Sequence, residues 1–260
     1  MRTLWLTDLH VNRLDEEHYT DLFNRIQASE ADGIWITGDI GDPPLNWIFL
    51  EDLFCKFTKP IYFVLGNHDY YGLKVDEARQ KARNLSYAYP NAHYLTSEAG
   101  FVFKEYFITG IGCWGNTGNI PLRENTWDSD AIYDLLRLNL EQLKTKVNQL
   151  GEQDASILLQ KCAAGITKTI KTLVIFTHVP PIEAMQGRNP VRALEENRTV
   201  YYSFALSNAL KQLLETYPEI DIRVYSGHLH QAQAYQITDR LHGHVAEAYN
   251  PSLPFNWIML

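Results

Sequence analysis

The chain has 260 residues, 45% hydrophobic and 21% charged, with 23 Lys and Arg against 31 Asp and Glu for a net charge of −8. That length buries a core without disulfides, and three widely spaced cysteines (Cys55, Cys113, Cys162) give neither a disulfide framework nor a Cys-rich metal pattern. The acidic balance argues against a nucleic-acid coat or a binder of anionic membranes, and no apolar run approaches the ~18 residues of a membrane span.

Arg2–Thr7 reads as a strand that runs straight into Asp8-Leu9-His10. This leaves no room for a secretory leader and sets a cytoplasmic expectation. Asp15–Glu30 follows with Leu14, Tyr19, Leu22, Phe23 and Ile26 at helical spacing. Gly33–Thr37 is a short apolar strand ended by Gly38-Asp39, and Pro44 precedes a helix over Asn46–Lys56. Ile61–Leu65 is a third strand, ended by Gly66-Asn67-His68-Asp69. A helix over Lys74–Asn84 and short strands at Tyr94-Leu95, Phe101–Phe103 and Tyr106–Gly110 come next. The periodicity then predicts one long helix over Asp130–Leu150 and another over Ala155–Ala164. Leu173–Thr177 is a strand ended by His178, Tyr201–Tyr217 a helix, and Ile222–Tyr225 a strand ended by Gly227-His228-Leu229-His230. Ala232–Ile237 and His244–Ala248 close the chain as a pair of strands. No repeat, low-complexity stretch or linker interrupts it, so the expectation is one domain over 1–260, with a helical cap or insertion around 120–170.

Near-continuous apolar strands separated by helices imply a sheet covered on both faces, where ligands bind beyond the C-terminal strand ends. Asp8, Asp39, Asn67, His178 and His228 each stand just past such an end. Five strands are therefore expected to deliver metal-ligating side chains to one edge of one sheet. Imidazoles with carboxylates suit borderline divalent ions.

Gly-Asn-His-Asp and Gly-His-x-His are rare by chance in a chain of this composition, and here they occur in order with Asp-x-His and Gly-Asp. With these motifs, spanning Asp8 to His230, the chain resembles the calcineurin-like metallophosphoesterase superfamily. The resemblance implies an α/β fold, a two-sheet β-sandwich flanked by helices (αββα), with a metal site at the strand C-terminal edge. It implies two divalent ions (Mn, Fe, Zn or Mg), one held by Asp8, His10 and His230 and the other by Asn67, His178 and His228. Asp39 would bridge them. It further implies a hydroxide between the ions that attacks phosphorus in line, with His68 assisting the leaving oxygen and Asp69 orienting His68.

Gly38-Asp39-Ile40-Gly41-Asp42-Pro43-Pro44 lacks the arginine that protein Ser/Thr phosphatases carry after this aspartate. The motif set looks closer to small bacterial-type phosphodiesterases, which sets a mild expectation of diester over monoester cleavage. A small phosphorylated substrate, such as a nucleotide, is the expected partner. A decayed, partner-binding scaffold is the alternative, but no ligand is missing from the set. Asp42 reads equally as support for a ligand or as a turn residue, and Asp69 also as a cap. Arg188, Arg192 and Arg198 with Tyr201 and Tyr202 read either as phosphate and base contacts or as a solvated basic patch. His18, His93, His242 and His244 are expected to be ordinary surface or sheet residues.

Overall fold

The computed structural model describes residues 1–112, 114–116, 127–185 and 202–260. Two mixed sheets stack face to face. The first runs in the order β11 (Asn256–Met259), β1 (Arg2–Leu6), β2 (Gly33–Thr37), β3 (Ile61–Val64), β4 (Ala92–Tyr94), parallel from β1 to β4 with β11 antiparallel at one edge. The second runs β5 (Phe101–Phe103), β6 (Tyr106–Gly110), β7 (Thr172–Phe176), β8 (Asp221–Ser226), β10 (Leu241–Val245), β9 (Gln233–Thr238). Here β6, β7, β8 and β10 are parallel, and the outer strands β5 and β9 pair antiparallel.

Strand alternation divides the apolar residues between layers. Trp5, Trp35, Val64, Val174, Phe176 and Tyr225 meet between the sheets, where Trp35 stacks on Phe176 with ring centroids 4.1 Å apart. Leu4, Leu6, Ile34, Ile36, Ile61 and Phe63 point outward, under α1 (Glu16–Ala28), α2 (Leu45–Lys56) and α3 (Val75–Ala88). Leu173, Ile175, Ile222 and Val224 of the second sheet are covered by the C-terminal half of α5 (Leu140–Gly165) and by α6 (Phe204–Thr216). This is the αββα sandwich expected from the motifs.

Three elements differ from the sequence expectation. The expected pair of helices over 130–164 is instead a short α4 (Trp127–Ala131), a run of turns, and one unbroken 26-residue α5. Asn139 caps α5, its side chain accepting from Gln142 N while Gln142 returns the bond to Asn139 N. Gly151 and Asp154, in the gap between the two expected helices, are contacts. A Cβ at Gly151 would press on the Asn116 side chain, and Asp154 accepts two bonds from the Arg79 guanidinium, at 2.8 and 3.0 Å. As a result α5 spans both outer cores: Leu143 and Val147 pack in the first, Leu158 and Cys162 in the second.

The final hairpin strand lies at Leu241–Val245, earlier than expected, and within it the Tyr235 ring packs directly on Gly243. β11 carries too little pattern to be seen in the sequence and forms only through pairing with β1.

No helix among the described residues is long and apolar enough to cross a membrane.

Arg79 is 5% exposed and Asp154 fully buried, so removing Asp154 takes away the carboxylate that balances a buried guanidinium. Asp154→Ala should cost about 3–5 kcal/mol in a denaturant unfolding experiment. A cost below about 1 kcal/mol, the range of a surface ion pair, would show that this pair does not anchor α5 to α3.

Candidate metal centre

The site lies where the C-terminal ends of both sheets meet, not at the edge of one. β1 ends in Thr7-Asp8, β2 in Gly38-Asp39 and β3 in Leu65-Gly66-Asn67, while β7 and β8 of the other sheet end in Thr177-His178 and Gly227-His228. Backbone bonds lace the ends together: Asp8 N donates to Gly38 O, His10 N to Asp39 O, and Gly227 N to His178 O. The expectation of a single sheet edge failed because parallel strands of two stacked sheets share one polarity. The sequence does not say which sheet a strand joins.

The loops carrying these residues are strained. Eight described non-glycine residues have positive φ, and five of them are Asp8, His10, Asp39, His228 and His230. Such backbone persists only where the surroundings enforce it, and it concentrates at functional sites. Two glycines make the close approach possible. A Cβ on Gly66 would collide with Asp39 and the His178 ring, and one on Gly227 with Thr7 Oγ1 and Asp8 Oδ2.

The potential ligand atoms form two groups joined by Asp39. In one, His10 Nε2 and Asp8 Oδ1 each lie 3.1 Å from His230 Nε2, and Asp39 Oδ2 is 3.8 Å from His10 Nε2. In the other, His178 Nε2 is 3.1 Å from Asn67 Oδ1, 3.1 Å from His228 Nδ1 and 3.3 Å from Asp39 Oδ1. Asp39 thus turns one oxygen to each group.

The second group tests whether a cation fits. His178 Nδ1 faces the Thr37 carbonyl at 2.8 Å, so the neutral ring keeps its proton there and presents a lone pair at Nε2. That lone pair faces a carboxylate oxygen and an amide oxygen, an arrangement only positive charge stabilises. Bonds of about 2.0–2.2 Å to a common divalent ion would set neighbouring N and O donors roughly 3.0–3.4 Å apart. The donor set and its spacing fit.

Protons supply that charge in the metal-free protein. Burial opposes a charge on His178, but Asp39, by its charge and hydrogen bond, with Asp8 and the Thr37 carbonyl, pushes it up to about 9. Burial pushes His10 down to about 4, and burial with the His178 charge pushes His228 down to about 3. Asp39 is held well below the carboxylate range: burial would raise it, but His178, His68 and His10 outweigh burial.

Further side chains support the candidate ligands and His68. Thr7 Oγ1 donates to Asp8 Oδ2 at 2.7 Å, and His228 N to the same carboxylate. His68 N donates to Asp39 Oδ1 at 2.9 Å. The Asp69 carboxylate is not on His68: it accepts from Gly66 N at 2.8 Å, Ile40 N and Asn46 Nδ2 at 3.2 Å, and Gly41 N at 3.4 Å. Asp69 is therefore a clasp between the loops bearing Asp39 and Asn67. Burial and the Asp39 charge push its own carboxyl up to about 7. The partner of His68 Nδ1 is Asp42 Oδ1, at 2.8 Å. Of Asp42's two readings, the side-chain contact thus places it in support of the site. Asp128 on α4 was not foreseen, because no motif marks it; it bonds Asn67 Nδ2 at 2.9 Å.

Arg188, Arg192, Arg198 and Tyr201 lie outside the described residues. His18 bonds Asp15 at the start of α1, and His93, His242 and His244 sit on β4 and β10, away from the cluster.

Against known proteins, the profile of the Calcineurin-like phosphoesterase family matches residues 1–232. The chain belongs to that family. A phosphoesterase of this family, it is also similar to protein L509 of Acanthamoeba polyphaga mimivirus, at 22% identity over 200 residues, 70% of this chain and 69% of that one. Solved structures with the same fold include the phosphopantetheinyl hydrolase of Mycobacterium tuberculosis, with TM-score 0.60 and 13% identity over 95% of this chain and 89% of that one. A dimetal phosphatase from Danio rerio aligns with TM-score 0.57 and 11% identity over 98% and 90% of the two chains. The family is one of metal-dependent phosphoester hydrolases, and the buried His/Asp cluster of this phosphoesterase is consistent with a dinuclear site.

The low values at His10 and His228 carry a sign. Unfolded imidazoles take up protons near 6.5, so below that pH the unfolded chain binds more protons than the folded one. The stability of the metal-free protein should fall as pH drops from about 6.5 through 4 and 3. The raised His178 acts oppositely, its contribution present below 6.5 and lost as pH rises through about 9. Thermal melts of chelator-stripped protein between pH 4 and 7 should slope more steeply for wild type than for His228→Asn. Parallel slopes would contradict the assignment.

Proposed function

We propose that this phosphoesterase holds two divalent ions and hydrolyses small phosphoric esters, diesters in mild preference to monoesters. Asp8, His10 and His230 would hold one ion, Asn67, His178 and His228 the other, and Asp39 both. The observation that carries the reading is the carboxylate of Asp39, with one oxygen directed to each ligand group. When bound, the two ions supply a water acidic enough to attack phosphorus in line and positive charge for the oxygens that develop charge. With only two carboxylates among the seven ligands, the loaded site keeps net positive charge and draws in a phosphate despite the chain's −8.

The protein's own groups do the rest. Asp8 and Asp39 are fixed by backbone and hydroxyl donors, so the site is organised before substrate arrives. His68 stacks edge-on to His10, with centroids 4.6 Å apart, and its side chain keeps 17% of its surface open. With Nδ1 engaged by Asp42, Nε2 is the atom left to give a proton to the leaving oxygen. Asp42, not Asp69, is the carboxylate that orients it.

Elemental analysis followed by assay on aryl phosphomonoesters and diesters, across pH and with Mn, Zn, Mg and Fe, tests the reading. Ligand imidazoles must be neutral, so activity should fall below about pH 6. Asp39→Asn should lower metal content together with rate. His68→Asn should keep both ions and lose about 10²–10⁴-fold on substrates with alkoxide-like leaving groups. On aryl esters, whose leaving groups need little proton help, the loss should be smaller. Asp42→Ala should reproduce that leaving-group dependence in weaker form. Uniform slowing by His68→Asn, or loss of its metals, would remove the proton-donor role.

A further inference from the structure

Among the proposed ligands only Asn67 has two chemically opposite ends. Its Oδ1 can bind a cation, whereas Nδ2 carries two donors and cannot. Nothing in the Gly-Asn-His-Asp motif fixes which end turns inward, and the neighbouring imidazole pulls the wrong way. In the neutral form that binds a cation, His178 keeps its proton on Nδ1 against the Thr37 carbonyl and turns a lone pair at Nε2 toward Asn67, 3.1 Å away. That lone pair would accept an amide N–H.

The other face of the amide holds the counterweight. Asp128 Oδ1 lies 2.9 Å from Asn67 Nδ2, and the Tyr71 hydroxyl donates to the same oxygen at 2.8 Å. An ionised carboxylate only accepts, so it takes the NH₂ end and leaves Oδ1 facing His178. Tyr71 holds the carboxylate in place from the 68–71 turn, and its ring packs on His68 with centroids 4.4 Å apart. Asp128 comes from α4, in the segment between β6 and β7 that no motif strand covers.

We propose that Asp128 is a positioning residue that locks the Asn67 amide with Oδ1 inward, and so sets how tightly the Asn67–His178–His228 position holds its ion. The proposal rests on the two-ion reading above. It also assigns a task to α4, in the segment between β6 and β7: controlling occupancy of one of the two metal positions.

Stepwise titration of chelator-stripped protein with Mn²⁺, followed by calorimetry, reads the two positions separately. Asp128→Asn keeps the shape but replaces an acceptor with a group that also donates, so the amide is no longer held one way. One binding step should weaken by about 10- to 100-fold, the other should not change, and the metal-free melting temperature should stay at the wild-type value. Tyr71→Phe, which removes one bond from the carboxylate but leaves its charge, should weaken the same step by less. Unchanged affinities in Asp128→Asn would overturn the proposal. So would equal weakening of both steps with a lowered melting temperature, or a Tyr71→Phe effect on the other step alone. A wild-type chain that binds fewer than two ions in the same titration would overturn the two-ion reading instead.

Discussion

Carboxylate oxygens, an amide oxygen and imidazole lone pairs repel one another when nothing positive lies among them, and burial strengthens the repulsion. Holding such atoms about 3 Å apart is the constraint that the rest of this structure meets. Asp8, Asp39 and His178 are almost fully buried, so water cannot screen them. The backbone resists the repulsion by rigidity: parallel strand ends from two sheets, cross-loop bonds such as His10 N to Asp39 O, and five candidate ligand residues held at positive φ. Asp69 contributes by tying the β2 and β3 loops through four donors, Gly66 by having no side chain to keep those loops apart, and Gly227 by letting the end of β8 approach Thr7 and Asp8.

The same crowding explains the electrostatics. A proton on His178 relieves the negative charge of Asp39, and burial, with that proton beside it, keeps His228 neutral. A divalent cation held at the same Nε2 lone pair would do that work with twice the charge. Metal uptake and proton loss are therefore two sides of one equilibrium. The long α5, fixed to α3 by the buried Arg79–Asp154 pair, joins the two outer cores behind the site.

What was legible in the sequence follows from how local each signal is. The ligand strands end in short motifs, so Asp8, Asp39, Asn67, His178 and His228 could be read as strand-end residues, and the structure brings them together. Contacts made across the fold carry no such mark. Asp42 and Asp69 are both near His68 in the motifs, and only tertiary geometry shows that Asp42 reaches its ring while Asp69 turns to backbone amides. Gly151 and Asp154 stand in the gap between two expected helices, and only the fold sets Asn116 and Arg79 against them. Asp128 belongs to no motif at all. β11 exists through its pairing with β1 rather than through its own four residues.

The central claim is that one carboxylate serves two metal positions. A crystal structure of protein loaded with Mn²⁺, with anomalous scattering recorded at the manganese edge, tests it most directly. The account predicts two peaks roughly 3.5–4 Å apart, with one Asp39 oxygen on each. A single peak, or two peaks with Asp39 bound to only one of them, would contradict it.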